Sequence, residues 1–261
     1  QHLASDLAGA FDLLENACLL SLSGTLDAHG AACVPALLDA SECRGLRALY
    51  GTDAAFRSRV VMSRHGFGRG EYQYFAYPLP DLVQALREAL YPRLAPLANR
   101  WNDRMGIGVR YPANHADFLA RCHAAGQLRP TPLLLRYGPD DYNCLHQDLY
   151  GETVFPIQVA LLLSDPGRDF TGGEFVVVEQ RPRMQSRVEV APLSQGDAVA
   201  FALDQHGIAP RGLQGMHQAA GATDGGDLRA LAVVPGFHRA AAWAERERAA
   251  QAVAGLDVQP V

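Results

Sequence analysis

The chain has 261 residues, 48% of them hydrophobic, with a formal net charge of −5 and no long run of one sign. That is enough apolar residue for one sizeable core, and the charge argues against a general nucleic-acid or membrane-surface binder while leaving room for a local basic groove. All 23 basic residues are arginine, so Schiff-base lysine chemistry and a phosphate-binding GK[ST] loop are excluded.

In chain order, residues 1–50 read as helical, with a short extended piece near ACVPAL. The start, QHLASDLAGAFDLLENAC, lacks a basic stretch followed by an apolar one, so no signal peptide is expected, and no apolar run is long enough to span a bilayer. DASECRGLRALY carries a capping-box pattern, Asp39 with Glu42 three residues later. The stretch 64–80, RHGFGRGEYQYFAYPLP, reads as a Gly-, Arg- and aromatic-rich loop. There Tyr72, Tyr74 and Phe75 either stack on a substrate ring at the mouth of a site or pack against an outer sheet. Residues 80–105 predict one or two amphipathic helices broken near Pro92 and Pro96. NHADFLARCHAAG predicts a short helix capped by Asn114 and ended by Gly126.

After residue 130 the pattern changes to short Val-, Leu- and Phe-rich runs: TPLLLRYG, TVFPIQVALLLS, GGEFVVVEQ, SRVEVAPL, DAVAFAL and LRALAVVPGF. Turn-forming breaks such as DPGRDFTGG, LSQG and TDGGD separate them, which predicts a β-sandwich or barrel. The whole chain, 1–261, reads as a single domain, with supporting helices and the first strands over 1–130 and the β-core over 131–240. The five cysteines are odd in number and scattered, with no CxxC pair, which fits a reducing compartment and a cytoplasmic location.

The chemistry-bearing stretch is YNCLHQDLYG, residues 142–151. In extended backbone Cys144, His146 and Asp148 alternate onto one side. A neutral imidazole and a carboxylate on one face can take adjacent positions on a divalent metal. Two histidines and one carboxylate leave positions open, as non-haem Fe(II) requires for a cosubstrate and O₂. The other reading is of ordinary polar residues at a strand end. Cys144 as a third ligand is disfavoured, because three near neighbours on one strand reach one ion poorly. Further along, Arg229 interrupts an apolar strand, and a buried guanidinium needs an anionic partner. A ligand carboxylate held by two hydrogen bonds would serve, and so would a salt bridge at a strand edge.

With these residues in view, the chain resembles the Fe(II)/2-oxoglutarate-dependent oxygenases, closest to their prolyl-4-hydroxylase-like bacterial branch. GAACVPALLDASECRGLRALY looks like that family's opening strand and helix, RYGPDDYNCLHQD like its tyrosine strand leading into HxD, and FTGGEFVVVEQ like its GGE hairpin. LSQGDAVAF looks like its Gly-Asp turn and LRALAVVPGFH like its closing strand. The resemblance implies an α+β fold with a double-stranded β-helix (jelly-roll or cupin-like) core and N-terminal supporting helices. It implies His146 and Asp148 as metal ligands, Arg229 as partner of the distal 2-oxoglutarate carboxylate, and Tyr137 as a donor to the same carboxylate, unless Tyr137 only fills the barrel. For the third ligand, His217 lies 12 residues before Arg229 and His206 lies 23 before it; the shorter spacing favours His217. His65, His115, His123 and His238 read as surface or structural.

The implied cofactors are Fe(II), 2-oxoglutarate and O₂, with ascorbate in a supporting role. The expected reaction is hydroxylation of a C–H bond on a peptide or protein side chain such as proline, or on a small molecule. The alternatives are oxidative demethylation of alkylated nucleic acid and a non-catalytic β-helix binding protein with a degenerate metal site. Arg181 and Arg183, in the hairpin RPRMQSR, join Tyr72 and Tyr74 as candidate substrate contacts; otherwise that hairpin is a solvated one.

Overall fold

The protein is represented by a computed structural model, which describes residues 17–146, 154–179, 185–203, 218–219 and 227–233. The chain opens with α1 (Ala17–His29), β1 (Ala31–Val34) and α2 (Ala40–Ala48). The capping box forms as its sequence predicts: the Asp39 side chain accepts from the Glu42 amide at 2.8 Å, and Glu42 accepts from the Asp39 amide at 2.8 Å. Next come β2 (Phe56–Val61), β3 (Gly68–Arg69), β4 (Glu71–Phe75), α3 (Asp81–Arg104) and α4 (His115–Ala124). Asn114 caps α4 through the Asp117 amide, and Gly126 follows its end at φ +78°, in the left-handed region that favours glycine.

One expectation is corrected here. Pro92 and Pro96 do not break the helix; both lie inside a single α3. Interior proline costs an intrahelical hydrogen bond, but burial outweighs it. Leu86, Leu90, Tyr91, Leu94, Leu97 and Trp101 bury one face, and the Arg93 guanidinium donates to the Ala89 carbonyl, a full turn back, at 2.7 Å.

The remaining strands are β5 (Leu133–Tyr137), β6 (Tyr142–Asn143), β7 (Ile157–Leu162), β8 (Phe175–Glu179), β9 (Arg187–Ala191), β10 (Ala198–Ala202), β11 (Gln218–Ala219) and β12 (Leu228–Val233). Among the described residues the main sheet has seven strands in the order β1-β10-β7-β12-β5-β4-β2, the smaller sheet three in the order β11-β8-β9, and β3 pairs with β6. Every pairing is antiparallel.

Two faces of the main sheet bury two different sets of side chains. Leu134, Leu231, Val233, Val159, Leu161, Ala198 and Val34 pack with α3 and α4 in the largest apolar cluster. The alternate residues turn the other way, into the barrel. Tyr137, Leu162 and Leu228 pack there with Met62 and Phe170, and Val199 and Phe201 meet Val177 and Ala191 of the smaller sheet. The core is therefore a double-stranded β-helix with helices on one outer face. Among the described residues no helix is long and apolar enough to cross a membrane.

Candidate metal and substrate site

The candidate site starts where β5 ends. Tyr137 is 1% exposed and lies on the barrel face, opposite Leu228 of β12. The chain then turns: the Gly138 amide donates to Asp141 Oδ2 at 2.8 Å, the Asp141 amide to the Gly138 carbonyl at 3.2 Å, and Asp140 takes φ +62°. Strand β6 follows and pairs with β3. The Cys144 amide donates to the Phe67 carbonyl at 2.8 Å, so the β3 hairpin holds the segment that leads into His146.

Two glycines let that hairpin sit so close. Gly68 and Gly70 both have φ +117°. A Cβ on Gly68 would collide with the Tyr142 carbonyl, and one on Gly70 would lie 2.7 Å from the Tyr137 ring.

His146 Nδ1 lies 2.8 Å from the Cys144 carbonyl oxygen. A carbonyl only accepts, so Nδ1 carries the hydrogen and the neutral ring presents Nε2 as its lone-pair nitrogen. This is the orientation that a metal-binding histidine needs, with its second nitrogen fixed by a backbone carbonyl. The fit to a divalent metal thus holds at the one candidate ligand among the described residues. Asp148, His217 and the competing His206 lie outside the described residues. Strand β11 begins one residue after position 217 and pairs Gln218 with Val176 of β8. Cys144 uses both its amide and its carbonyl in backbone roles and is a free thiol.

Arg229 is placed differently from expectation. Its cross-strand partner is Arg136, whereas Tyr137 is opposite Leu228. Cross-strand partners share a face and successive residues alternate, so Arg229 and Tyr137 point to opposite sides of the sheet. The described register does not bring them to one carboxylate. The anionic partner of Arg229 is Asp227, two residues earlier on the same side of the strand. Nε lies 2.9 Å from Asp227 Oδ1 and Nη2 donates to Oδ2 at 2.9 Å. The guanidinium also lies 4.3 Å above the Tyr50 ring, and Nη1 has no hydrogen-bond partner among the described residues.

The pair ends a ladder of alternating charge across four strands. Arg59 donates to Glu71 at 2.9 Å, Arg136 lies 3.6 Å from Glu71 and 3.6 Å from Asp227, and Asp227 holds Arg229. Burial raises the affinity of Glu71 for its proton, but Arg59, Tyr50 and Arg136 outweigh that and hold its carboxyl below the ordinary range. Burial also pushes the Tyr50 hydroxyl well above its usual range. We therefore expect Arg229→Gln to lower stability while leaving the 2-oxoglutarate dissociation constant within about threefold of wild type, measured by anaerobic titration. Weakening beyond about tenfold, near 1.4 kcal/mol, would put the guanidinium at the cosubstrate instead.

The other candidates divide. Tyr72 and Tyr74 belong to β4, inside the main sheet between β2 and β5, and not to a covering loop. Their rings meet edge to face at 5.5 Å, and Arg57 lies 4.3 Å over Tyr74. Phe75 is fully buried and stacks on Phe56 at 4.7 Å. Arg181 and Arg183 lie outside the described residues. His65 stacks on Phe67, and His115 is buried in the helical layer. Sequence reasoning missed the β3–β6 pairing itself, which carries exposed Phe67, Arg69 and Tyr142 on the segments that lead into His146. The signal was present as GRG, a short extended pair flanked by glycines that admit close backbone approach.

This architecture is that of the double-stranded β-helix oxygenases that use Fe(II) and 2-oxoglutarate. Similar folds include a prolyl hydroxylase from Trichoplax adhaerens, solved with a hypoxia inducible factor oxygen degradation domain peptide fragment. It is 14% identical, with a TM-score of 0.52, over 89% of this chain and 91% of that one. The non-heme alpha ketoglutarate dependent epimerase SnoN from nogalamycin biosynthesis is 17% identical, with a TM-score of 0.52, over 83% and 81%. Residues 70–238 match the model of the Oxygenase-NA family, described as an oxygenase catalysing oxidative methylation of damaged DNA, and the chain belongs to that family. The uncharacterized protein Rv2227 of Mycobacterium tuberculosis is 53% identical over 127 residues, 49% of this chain and 54% of that protein. The chain thus spans about half the length of the curated relatives it matches.

Proposed function

We propose that the protein is an Fe(II)- and 2-oxoglutarate-dependent oxygenase that removes alkyl groups from damaged nucleic acid. The observation that carries this reading is the match of residues 70–238 to an oxygenase family described by its action on damaged DNA. Likeness of fold to prolyl hydroxylases does not choose a substrate, because one scaffold hosts many chemistries. Nucleic acid therefore replaces a proline side chain as the first choice.

In this reading His146, Asp148 and His217 hold the metal. The Nδ1 hydrogen bond of His146 supports the first, the HxD spacing the second, and the strand that starts directly after position 217 the third. Bound there, iron with 2-oxoglutarate and O₂ supplies oxidising power for hydroxylation of a C–H bond. The chain's own part is orientation and exclusion of water. Tyr137, Met62, Leu162, Phe170 and Leu228 line an apolar barrel interior, and the β3 hairpin backs the His146 segment. On an N-methyl base, hydroxylation of the methyl carbon gives N–CH₂OH. The C–N bond then breaks in the substrate, the nitrogen keeps a proton, and formaldehyde leaves.

The test pairs two readouts. Anaerobic Fe(II) and 2-oxoglutarate titration of wild type, His217→Ala and His206→Ala should show the weak visible charge-transfer band in wild type and His206→Ala only. Aerobic incubation with N-methylated single-stranded DNA should release formaldehyde and succinate in equal amounts. No band in folded, iron-supplied protein would favour a binding protein with a degenerate site. A band with hydroxylated proline in a peptide, and no formaldehyde from DNA, would overturn the substrate assignment.

A further inference from the structure

The β3–β6 ladder has features that neither the core nor the metal site uses. Phe67, Tyr142 and Leu145 are 38%, 37% and 40% exposed, on a segment that leads straight into His146. Large apolar side chains left in water beside a reaction centre point to a binding surface. Two of them are already arranged as flat platforms. The His65 ring stacks on Phe67 with centroids 5.4 Å apart and planes 26° apart, and the Arg69 guanidinium lies 5.6 Å over the Tyr142 ring.

The rim carries two arginines. Arg64 and Arg69 are exposed, and neither forms an ion pair among the described residues. Arg47, Arg59, Arg104, Arg110 and Arg136, by contrast, each meet a carboxylate. Of the nearby acids, Glu71 is paired with Arg59 and Arg136 and Asp141 accepts from the Gly138 amide, while Asp140 stays exposed on the turn before β6. In a chain with net charge −5, two guanidinium groups with no carboxylate partner among the described residues, interleaved with exposed aromatic rings, form a local feature of opposite sign. Aromatic platforms take bases by stacking, and arginines take phosphates.

We propose that this rim grips a single strand of nucleic acid, with Phe67 and Tyr142 stacking on bases next to the one offered to the barrel and Arg64 and Arg69 meeting the phosphates. The inference rests on the nucleic-acid reading above and supplies its recognition surface. The paired strands are a suitable holder because they are not loose: the Phe67 carbonyl is bonded to the Cys144 amide, and Gly68 and Gly70 bring the backbone against Tyr142 and Tyr137. A strand held there stands at a fixed offset from His146.

Fluorescence anisotropy with a short labelled single-stranded oligothymidine tests this on the full chain. Phe67→Ala and Tyr142→Ala should each weaken binding about tenfold, within the range that loss of one stacked base covers. Arg64→Gln with Arg69→Gln should lower the slope of log affinity against log salt by about 1.4, roughly 0.7 for each lost phosphate contact on a single strand. Arg110→Gln, in the helical layer, should match wild type. The inference fails if wild type binds no oligonucleotide, if the rim variants bind like wild type, or if they lose a proline-rich peptide instead. The iron and 2-oxoglutarate band, recorded on the same samples, separates the two readings. A band without rim-dependent DNA binding sinks only the rim, and rim-dependent DNA binding without a band sinks only the oxygenase.

Discussion

In the proposed function, replacement of His146 by alanine abolishes the Fe(II)–2-oxoglutarate charge-transfer band and turnover. The ring is not replaceable by a nearby group, because its orientation is built by the backbone. The Cys144 carbonyl takes Nδ1–H, and the Cys144 amide is itself tied to Phe67. Loss of even an outer-shell partner typically costs about 10–100-fold in metal affinity, and loss of a ligand exceeds that. His146→Gln should fail as well, since a side-chain amide provides no imidazole nitrogen at that place. Circular dichroism and thermal unfolding of the variant should stay near wild type, because His146 belongs to a connecting segment and not to the apolar core. A band that survives in His146→Ala would remove this residue from the metal site.

The second large effect is on stability against acid. His115 opens α4, is 4% exposed and has no hydrogen-bond partner at Nε2 among the described residues. Its ring meets Tyr91 at 5.6 Å. Burial, and then the Arg87 guanidinium, push its pKa down to about 4. The unfolded chain, with an ordinary histidine near pH 6.5, therefore takes up a proton before the folded one does. Stability is complete above about pH 6.5 and falls as pH drops towards 4. The full loss is on the order of 3 kcal/mol, with about 2 kcal/mol gone by pH 5. Urea unfolding at pH 7 and pH 5 measures it. In His115→Phe this part of the pH dependence should vanish, whatever the variant's stability at pH 7. An unchanged pH dependence would assign the acid lability to other groups.

Local signals read well in this sequence, and signals that depend on register did not. The Asp39–Glu42 box and the Asn114 cap are sequence-local, and both formed. So did the apolar runs after residue 130, because alternation and turn residues are local too. Pro92 and Pro96 misled because their cost is local while the burial that outweighs it comes from the sheet and from α4. EYQYF alternates as a strand should, but the glycine-rich GFGRG in front of it disguised β4 as part of a loop. Arg229 is the sharpest case. A one-residue change in register turns a side chain to the other face of a sheet, and the pairing of β12 with β5 is not written in either strand alone. DLR nevertheless contained the answer for its charge, since residues two apart on a strand share a side. The β3–β6 pairing left only the GRG signal, because each strand is two residues long and the two lie far apart in the chain.

The place of β12 has a consequence for synthesis. It is the last described strand in the chain, yet it lies between β5 and β7, in the middle of the main sheet. Until it leaves the ribosome, β2, β4 and β5 can form only one half-sheet, and β1, β7 and β10 another. Each half then presents an unpaired edge of Leu- and Val-rich backbone. At about 5–20 residues per second, the interval between completing β5 and completing β12 is on the order of 5–20 s. Nascent chains stalled before residue 228 should therefore bind chaperones and aggregate, and those stalled well beyond residue 233 should not.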